Sequence, residues 1–339
     1  MPVLFATHEA YLDHVVGPHH PERPSRLGAV IDGARDAAVA DALVPLLPRA
    51  ATMLELERIH PAWYLQRIEL LCRKGGGHLD PDTSVSPGSW DAAIHAAGAG
   101  LAAIEALQAN AGGAEAAFCA VRPPGHHASA AQSMGFCLIS NVAVVAAHLA
   151  ALGERVAIVD YDAHHGNGTQ DIFYSDPRVL YISLHQWPLY PGTGAHDELG
   201  QGDGWGTTLN IPLPPHATGD VYLAAVDEVI APALEHFAPT WIVVSAGFDA
   251  HRNDPITDLG LSSGDYSELT ARLVGFVPPG RRLVMLEGGY DLDALRDSSA
   301  AALGALAGIH HLPERVTNDG PGMHTIAAVR AFRDHQGLA

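Results

Sequence analysis

The chain has 339 residues, of which 47% are hydrophobic and 17% charged, and its formal net charge is −19. This composition is typical of a folded globular protein with a sizeable core, and it argues against a disordered or fibrous chain. The acidic balance excludes a general electrostatic footprint for nucleic acid or an anionic membrane surface, so we expect neither as a partner.

Three cysteines, Cys72, Cys119 and Cys137, lie far apart and form no C-x-x-C pair. We interpret them as buried thiols of a reducing compartment rather than a disulfide framework. The first seven residues lack the basic segment and long apolar run of a signal peptide, and no apolar run approaches the ~20 residues needed to span a bilayer. These observations predict a cytoplasmic protein.

The N-terminal third is predicted to contain one strand and several helices. A strand over 3–7 leads into a proline-rich loop over 14–26, where regular structure is disfavoured. Helices are predicted over 26–40, 52–59, 62–73 and 89–110, with Ser25 and Ser89 as caps of the first and last. A glycine-rich loop separates the last two helices over residues 75–87.

From residue 116 onward, short apolar strands alternate mostly with helices. We predict strands over 116–121, 156–160, 178–184, 207–213, 241–245 and 283–286. We predict helices over 138–151, 167–174, 220–237, 264–276 and 291–307. Continuous apolar strands separated by helices are typical of a parallel sheet covered on both faces. The pattern therefore predicts one α/β domain over 1–339, with a central parallel sheet of about eight strands.

The strand at 156–160 ends in a concentration of ionisable groups: Asp160, Asp162, His164 and His165. Charges this close disfavour one another unless a cation or hydrogen-bond partners compensate them. Carboxylate and imidazole ligands suit zinc or another borderline divalent ion, and alternate residues of an extended chain share a face. The alternative interpretation is a polar turn with a surface histidine pair.

Polar, glycine-rich segments follow five of the predicted strands. They begin at Arg122, Asp160, His185, Ala246 and Glu287. Because ligands bind at the carboxyl ends of the strands in such sheets, these segments are expected to converge on one site. This convergence predicts an active site.

The candidate metal ligands are Asp162, His164 and Asp249, a set of three that leaves an open position, as catalytic zinc sites do. Zinc-bound water becomes a usable nucleophile, and His126 or His127 can move its proton. The pattern therefore predicts metal-assisted hydrolysis of an amide or ester. Histidine pairs are also common at protein surfaces, and Asp249 could instead cap a helix or pair with Arg252.

Two kinds of residue complete the predicted chemistry. Asp160 and Asn167 are available to fix the tautomers of the two imidazoles. The hydroxyl of Tyr290, on the Gly288-Gly289 turn, could stabilise an oxyanion, although Gly-Gly-Tyr is often only a turn.

Several motifs together identify a family resemblance. They are Arg122-Pro-Pro-Gly-His-His-Ala, Gly135-Phe-Cys, Asp160-Tyr-Asp-Ala-His-His-Gly-Asn-Gly-Thr-Gln, Pro191-Gly-Thr-Gly, Ala246-Gly-Phe-Asp-Ala-His, Glu287-Gly-Gly-Tyr and the loop His20-Pro-Glu-Arg-Pro-Ser-Arg-Leu. In this order they closely resemble the zinc-dependent histone deacetylase superfamily. The resemblance is closest to class II-like bacterial histone deacetylase-like amidohydrolases and acetylpolyamine amidohydrolases. It implies the arginase/deacetylase-like α/β fold, with a central parallel sheet and helices on both faces.

The resemblance also implies roles for individual residues. The family's zinc ligands correspond to Asp162, His164 and Asp249, and its tandem histidines correspond to His126 and His127. The hydrogen-bond partners of these histidines correspond to Asp160 and Asn167, and the oxyanion-stabilising tyrosine corresponds to Tyr290. His127 is implied as the general base and acid. Structural potassium is implied at two sites: one with Asp160, the Ser183 hydroxyl and the carbonyls of Asp162, His164 and Leu184, and one with the carbonyls of Phe173, Asp176 and Val179.

A substrate tunnel is implied between two aromatic walls, Phe136 and Tyr190, with Leu189 and Tyr190 standing where the family commonly has two phenylalanines. Ile256 is apolar where an acidic residue would favour the second ammonium of a polyamine, and this favours acyl-lysine. Asp82 could meet a cation or a peptide backbone at the rim, or could belong to a solvated turn. Gly135 and Gly288 are the remaining candidates for substrate contact.

The resulting hypothesis is a zinc-dependent deacetylase that hydrolyses N-acetyl amides of lysine side chains on peptides or proteins. An acetylpolyamine amidohydrolase with the same chemistry is the alternative, and a catalytically dead module that binds acylated ligands is a third. The tandem histidines argue against a dinuclear manganese enzyme, because they occupy the place where further carboxylates would be needed. The sequence leaves a homo-oligomer open.

Overall fold

The computed structural model describes residues 1–339, which form one eight-stranded sheet and a separate two-stranded hairpin. The strands are β1 (Val3–Ala6), β2 (Leu43–Leu46), β3 (Gly77–His78), β4 (Ser84–Val85), β5 (Ala116–Cys119), β6 (Val156–Asp160), β7 (Val179–Gln186), β8 (Thr208–Leu213), β9 (Trp241–Ala246) and β10 (Arg282–Leu286). The helices are α1 (Ser25–Ala34), α2 (Met53–Leu56), α3 (Ala62–Arg73), α4 (Ser89–Gln108), α5 (Asn141–Ala151), α6 (Asn167–Phe173), α7 (Gly219–Ala225), α8 (Ala231–Phe237), α9 (Ser263–Val274), α10 (Leu292–Ala307) and α11 (Met323–His335).

The large sheet has the strand order β2-β1-β5-β10-β9-β6-β7-β8, and every neighbouring pair is parallel. All its strands therefore end at the same edge. Helices α4 and α5 pack together against β5, β6, β9 and β10, while α1, α9 and α10 pack together, with α10 against β1 and β5. The predicted parallel sheet of about eight strands between helices is confirmed.

The core explains why the strands are so apolar. Every residue of β5, β6, β7 and β9 is buried, because helices cover both faces. The main core cluster contains 76 buried residues. Burial of each large aliphatic side chain contributes ~1.5–3 kcal/mol, so this cluster is the main source of stability. No helix combines the length and the apolarity needed to cross a membrane.

Several local predictions were wrong. Strand β2 and helix α11 were not predicted, and β3 and β4 pair within the predicted loop over 75–87. Pro45 obscured β2, and the strand tolerates it because β2 lies at the edge of the sheet. The first helix ends at Ala34 rather than residue 40, because the chain turns so that Val39 enters the core.

The two predicted helix caps also differ in the structure. Ser25 and Ser89 are the first helical residues, and neither caps its helix. The Ser89 hydroxyl instead accepts from the Ser86 amide at 2.7 Å and lies 2.7 Å from His14 Nδ1. The predicted helix over 220–237 is interrupted by a π-helical turn, Val226–Ile230. Tertiary contacts have thus overridden local signals at these points.

Candidate active site

The segment after β6 folds back on itself rather than continuing as a strand. The Asp162 amide donates to Asp160 Oδ1 at 3.1 Å, and the His164 amide donates to Asp162 Oδ1 at 2.9 Å. Each aspartate thus forms a local turn around its own carboxylate. This conformation keeps three ionisable side chains at the carboxyl edge of the sheet, next to the ends of β7 and β9.

Asp162, His164 and Asp249 are all buried, and their ligand atoms lie within 4.8 Å of one another. Asp249 comes from the loop after β9. His164 Nδ1 lies 3.1 Å from Asp162 Oδ1 and 3.0 Å from Asp249 Oδ2. The outer carboxylate oxygens accept from main-chain amides: Gly288 donates to Asp162 Oδ2 and Ala163 to Asp249 Oδ1, both at 2.8 Å. One oxygen of each aspartate and one nitrogen of His164 therefore face a common point.

The donor set fits a zinc ion. Oxygen and nitrogen ligands bind zinc at about 2.0–2.2 Å, which places neighbouring donors of a tetrahedral site roughly 3.3 Å apart. The observed separations of 3.0 and 3.1 Å are close to that value. Three protein donors leave one position open, as catalytic zinc sites do.

The charges of Asp162, His164 and Asp249 also favour a bound cation. Burial lowers the pKa of His164, but Asp162 and Asp249 outweigh it and raise that pKa to about 10. Burial, and then the charge of Asp162, raise the pKa of Asp249. Two buried carboxylates this close favour a positive charge between them, whether a proton on the imidazole or a divalent cation.

His126 and His127 lie in the loop that follows β5. His126 Nδ1 is 3.0 Å from Asp160 Oδ2, and His127 Nδ1 is 2.8 Å from Asn167 Oδ1. An amide oxygen only accepts, so His127 Nδ1 carries the proton, and its Nε2 is the atom left to accept one. The structure brings each histidine to the partner suggested by the sequence.

A cavity of about 270 Å³ opens onto these residues. It is lined by Asp82, His127, Gly135, Phe136, His164, Leu189, Tyr190, Ile256 and Tyr290. Aromatic rings form its walls: Phe136 lies 6.0 Å from Tyr290, and Tyr190 lies 5.2 Å from His127, centroid to centroid. One cavity therefore brings together His164 of the candidate metal-ligand group, one tandem histidine and an apolar wall.

Two glycines are required by close packing. A Cβ on Gly135, whose φ is +56°, would lie 2.3 Å from the His127 ring. A Cβ on Gly288 would lie 2.2 Å from Asp249 Oδ2. Gly288 is not among the residues that line the cavity, and its amide donates to Asp162 Oδ2. Its contact with substrate stays a prediction.

The Glu287-Gly-Gly-Tyr290 turn is held by residues for which the sequence suggested no role. Arg26 donates to the Gly289 carbonyl at 2.6 Å and to the Glu287 carbonyl at 2.5 Å. Its guanidinium lies 4.9 Å from the centre of the Tyr290 ring. The Tyr290 amide donates to Asp254 Oδ2 at 2.7 Å. The tyrosine is thus fixed from two sides.

Glu22 is the centre of a buried ion network beside this turn. Arg122 donates to both its carboxylate oxygens, at 2.5 and 2.7 Å, and Arg26 donates at 3.2 Å. His14 Nε2 lies 3.4 Å away. Burial opposes ionisation, but Arg122 and His14 hold the pKa of Glu22 well below its usual range. The only signal in the sequence was the charged loop at 20–27, which belonged to the family resemblance.

Glu287 holds the backbone of the tandem-histidine loop through hydrogen bonds. Its Oε2 accepts from the amides of Gly125 at 2.6 Å and His126 at 3.1 Å, and its Oε1 accepts from the Ser245 hydroxyl at 3.2 Å. Burial raises the pKa of Glu287 to about 7. The sequence placed this residue at a strand end but gave it no function.

The first set of residues implied in potassium binding lies beside the candidate metal-ligand cluster, whereas the second set lies between the end of α6 and the start of β7. Ser183 is the β7 residue paired with Asp160, and Leu184 follows it. The Ser183 hydroxyl lies 2.9 Å from His185 Nδ1. In the second set, the Phe173 carbonyl accepts from the Asp176 amide at 2.9 Å, and the Asp176 carbonyl accepts from the Val179 amide at 3.4 Å. These carbonyls close the turn between α6 and β7.

The structure excludes the alternative roles that the sequence left open for Asp249 and for the histidine pair. Asp249 neither caps a helix nor pairs with Arg252, which is bonded to Glu314. His165 is not a surface residue, since only 1% of it is exposed. Its ring lies 2.8 Å from the Thr193 hydroxyl and 3.0 Å from Gln170 Oε1, which makes it a structural link.

A parallel eight-stranded sheet between helices, with this site at the carboxyl ends of its strands, is the arginase/deacetylase-like α/β fold. The histone deacetylase domain model matches residues 20–306. The crystal structure of the HDA15 HD domain superposes with a TM-score of 0.91 at 34% identity, covering 98% of this chain and 95% of that one. The chain belongs to the histone deacetylase family.

Curated relatives agree with this assignment. A probable deacetylase from Archaeoglobus fulgidus is 42% identical over 308 residues, which are 89% of this chain and 85% of that protein. A histone deacetylase-like amidohydrolase from Pseudomonas aeruginosa is 40% identical over 288 residues, which are 83% and 75% of the two chains. The family and these relatives support hydrolase activity of the deacetylase type.

Proposed function

We propose that this protein is a zinc-dependent deacetylase that hydrolyses the N-acetyl amide of lysine side chains on peptides or proteins. The observation that carries the proposal is the single cavity onto which His127, His164 and Tyr290 all open. Asp162, His164 and Asp249 would hold the zinc ion. When bound, zinc supplies Lewis-acid chemistry that activates water and polarises the acyl carbonyl.

The protein's own residues account for substrate binding. The Phe136 and Tyr190 rings, which line the cavity, would enclose the aliphatic chain of the substrate and exclude water from the amide. The Tyr290 hydroxyl would donate to the acyl oxygen as negative charge develops on it. The Arg26 and Asp254 contacts hold that tyrosine in place.

Proton transfer is assigned to His127. Its Nδ1–H is held by Asn167, so Nε2 is free to accept a proton from the attacking water. The same proton then passes to the nitrogen of the leaving amine as the C–N bond breaks, giving acetate and a free amine. His126, held by Asp160, would position its neighbour. Bound potassium at the two implied sites would stabilise the loops after β6 and α6.

An acetylpolyamine amidohydrolase is the second candidate, because the same machinery would act on an acetylated polyamine. The half-exposed, apolar Ile256 at the rim favours acyl-lysine, since it offers no charge to a second ammonium. Three free buried cysteines are consistent with the reducing cytoplasm, which we propose as its location.

The test measures acetate release from an acetyl-lysine peptide and from acetylputrescine, before and after metal removal and with zinc restored. We expect the peptide to be turned over faster, activity to disappear on chelation, and zinc to restore it. His127→Ala should be inactive at a zinc content equal to wild type. Full activity in metal-free protein would contradict the proposal, and faster turnover of acetylputrescine would favour the second candidate.

A further inference from the structure

The loop between β7 and β8 carries Tyr190, one of the two aromatic walls of the active-site cavity. Tyr190 is 39% exposed, and its ring centre lies 5.2 Å from that of His127. No helix or strand includes residues 187–200, so no ladder of main-chain hydrogen bonds fixes this loop. The position of Tyr190 therefore depends on what holds the main chain that follows it.

The Glu198 carboxylate holds that main chain. Its Oε1 accepts from the amide of Gly194 at 3.2 Å and from the amide of Ala195 at 3.1 Å. Its Oε2 accepts from the side-chain amide of Gln170, which lies on α6. One carboxylate thus ties the loop that carries the aromatic wall to the helix that begins at Asn167.

Two buried histidines pack against the same point of the loop. His185 Nε2 donates to the Gly194 carbonyl at 3.0 Å, and His165 Nδ1 lies 2.8 Å from the Thr193 hydroxyl. A Cβ on Gly194, whose φ is +94°, would lie 2.6 Å from His185 Nε2 and 2.7 Å from the His165 ring. The main chain at Gly194 therefore lies directly on two buried rings, which leave no room for a side chain.

Glu198 has the largest share in this arrangement. The Thr193 hydroxyl contacts only the His165 ring, whereas Glu198 satisfies two main-chain amides at once. Hydrogen bonds to a charged acceptor are stronger than those between neutral groups, and loss of the carboxylate would leave both amides without a partner. Removal of Glu198 should therefore loosen the loop more than removal of any other single contact.

We propose that Glu198 is a positioning residue that acts through Tyr190 and sets how tightly the cavity encloses the acetyl-lysine side chain. The inference rests on the proposed function, because it concerns binding of that substrate in the same cavity. Glu198 is not among the residues that line the cavity. The zinc ligands and His127 belong to other loops, so loosening of the aromatic wall affects substrate binding and not the chemical step.

A double-mutant cycle between Glu198→Ala and Tyr190→Ala tests the proposal, with steady-state kinetics on an acetyl-lysine peptide. Glu198→Ala should raise KM about fivefold to tenfold and keep kcat within about twofold of wild type, because it removes binding rather than transition-state contacts. In the Tyr190→Ala background the same change should have no further effect on KM. Glu198→Gln keeps an acceptor for the two amides and should restore most of the affinity.

Hydrogen exchange of the segment 187–199 gives a readout that does not need activity. This segment should exchange at least about tenfold faster in Glu198→Ala, because two of its amides lose their acceptor. The matched control is Glu154→Ala, which removes a carboxylate paired with Arg281 just before the start of β6. It should change neither KM nor the exchange of this segment.

Gln170→Ala removes only the support of the Glu198 carboxylate. It should shift KM and exchange in the same direction by a smaller factor, and it replaces Glu198→Ala in the cycle if that variant does not fold. Equal KM in Glu198→Ala and wild type, or an equal rise of KM with and without Tyr190, would overturn the proposal. So would faster exchange over the whole chain, because Glu198 would then support the fold in general.

Failure of the proposed function gives a different result. If wild type binds the acetyl-lysine peptide but does not hydrolyse it, the proposed function is wrong. The Kd of the peptide for the zinc-loaded protein, measured by titration calorimetry, then replaces KM in the same cycle, with the same expected ratios.

Discussion

The imidazole rings of His126 and His127 lie 4.0 Å apart, centroid to centroid, yet their surroundings shift their pKa values in opposite directions. Burial disfavours charge on His126, but Asp162 and Asp160 raise its pKa to about 10. Burial and the neighbouring His126 and His164 hold the pKa of His127 well below its usual range. The pair thus combines one ring that favours its charged form with one that favours its neutral form.

The partners of these rings should matter for activity. Asp160→Asn and Asn167→Ala should each reduce kcat/KM for an acetyl-lysine peptide by ~10- to 100-fold, because each loosens the orientation of one imidazole. Thr193→Val is the matched control, since it removes the hydroxyl partner of His165 instead. Equal activity in all three variants would show that the two contacts do not support catalysis.

Glu287 should act through its hydrogen bonds rather than through its charge. Its two oxygens accept from two amides and one hydroxyl, and burial raises its pKa to about 7. Glu287→Gln retains an acceptor for the amides and should keep most of the activity. Glu287→Ala should lower kcat by ~10-fold or more, because the His126 backbone loses its support. Steady-state kinetics with a fixed zinc content distinguish these outcomes, and a strong loss in Glu287→Gln would indicate a role for the charge.

Ile256 should influence the choice between lysine and polyamine substrates. Ile256→Glu adds a carboxylate at the rim of the cavity, where 37% of this residue is exposed. Because a partly exposed ion pair contributes up to about 1 kcal/mol, the kcat/KM ratio of acetylputrescine to acetyl-lysine peptide should rise by about fivefold. The control is Ile256→Gln, because glutamine has the same shape as glutamate but no charge, and it should leave the ratio unchanged.

Removal of the Glu22 charge should be strongly destabilising. In Glu22→Gln two fully buried arginines lose their anionic partner, and breaking a buried pair in this way costs ~3–5 kcal/mol. Urea denaturation measures the change in the free energy of unfolding. Glu69→Gln removes an exposed pair with Arg73 and should cost under about 0.5 kcal/mol. Similar losses in both variants would contradict the importance of burial.

His60 should make stability depend on pH. Its Nδ1 donates to the Ala130 carbonyl at 3.0 Å and its Nε2 accepts from the Ser140 amide at 3.1 Å, so both nitrogens are used in the neutral form. Burial lowers its pKa from 6.5 to about 4. The unfolded chain therefore binds a proton first as the pH falls. The contribution of His60 is complete above pH 6.5 and declines towards pH 4, by up to about 1.4 kcal/mol per pH unit.

The measurement compares unfolding free energies of wild type and His60→Gln between pH 7 and pH 5. Other buried histidines titrate in both proteins, so the difference between the two slopes isolates His60. Wild type should lose its advantage over the variant as the pH falls. Parallel curves would contradict the assignment of a neutral, hydrogen-bonded His60.

Much of the fold was predictable because burial leaves a simple pattern. Strands covered on both faces, such as β6 and β9, must be apolar throughout, and that requirement is visible in the sequence. Strand β2 was missed because an edge strand is only partly buried and tolerates Pro45. Helix α11 was missed because it follows a long irregular segment and only one of its faces is buried.

The sequence by itself indicated which residues are candidates for the chemistry, because buried carboxylates and imidazoles at the end of a strand are energetically costly unless they are compensated. It also determined the family, through motifs in a fixed order. Only the tertiary structure decided which partners those groups contact. Asp249 reaches His164 only because β9 lies beside β6 in the sheet, and Tyr290 is fixed only because Arg26, 264 positions earlier, packs on its ring. Such contacts depend on the order and register of the strands, which local sequence does not encode.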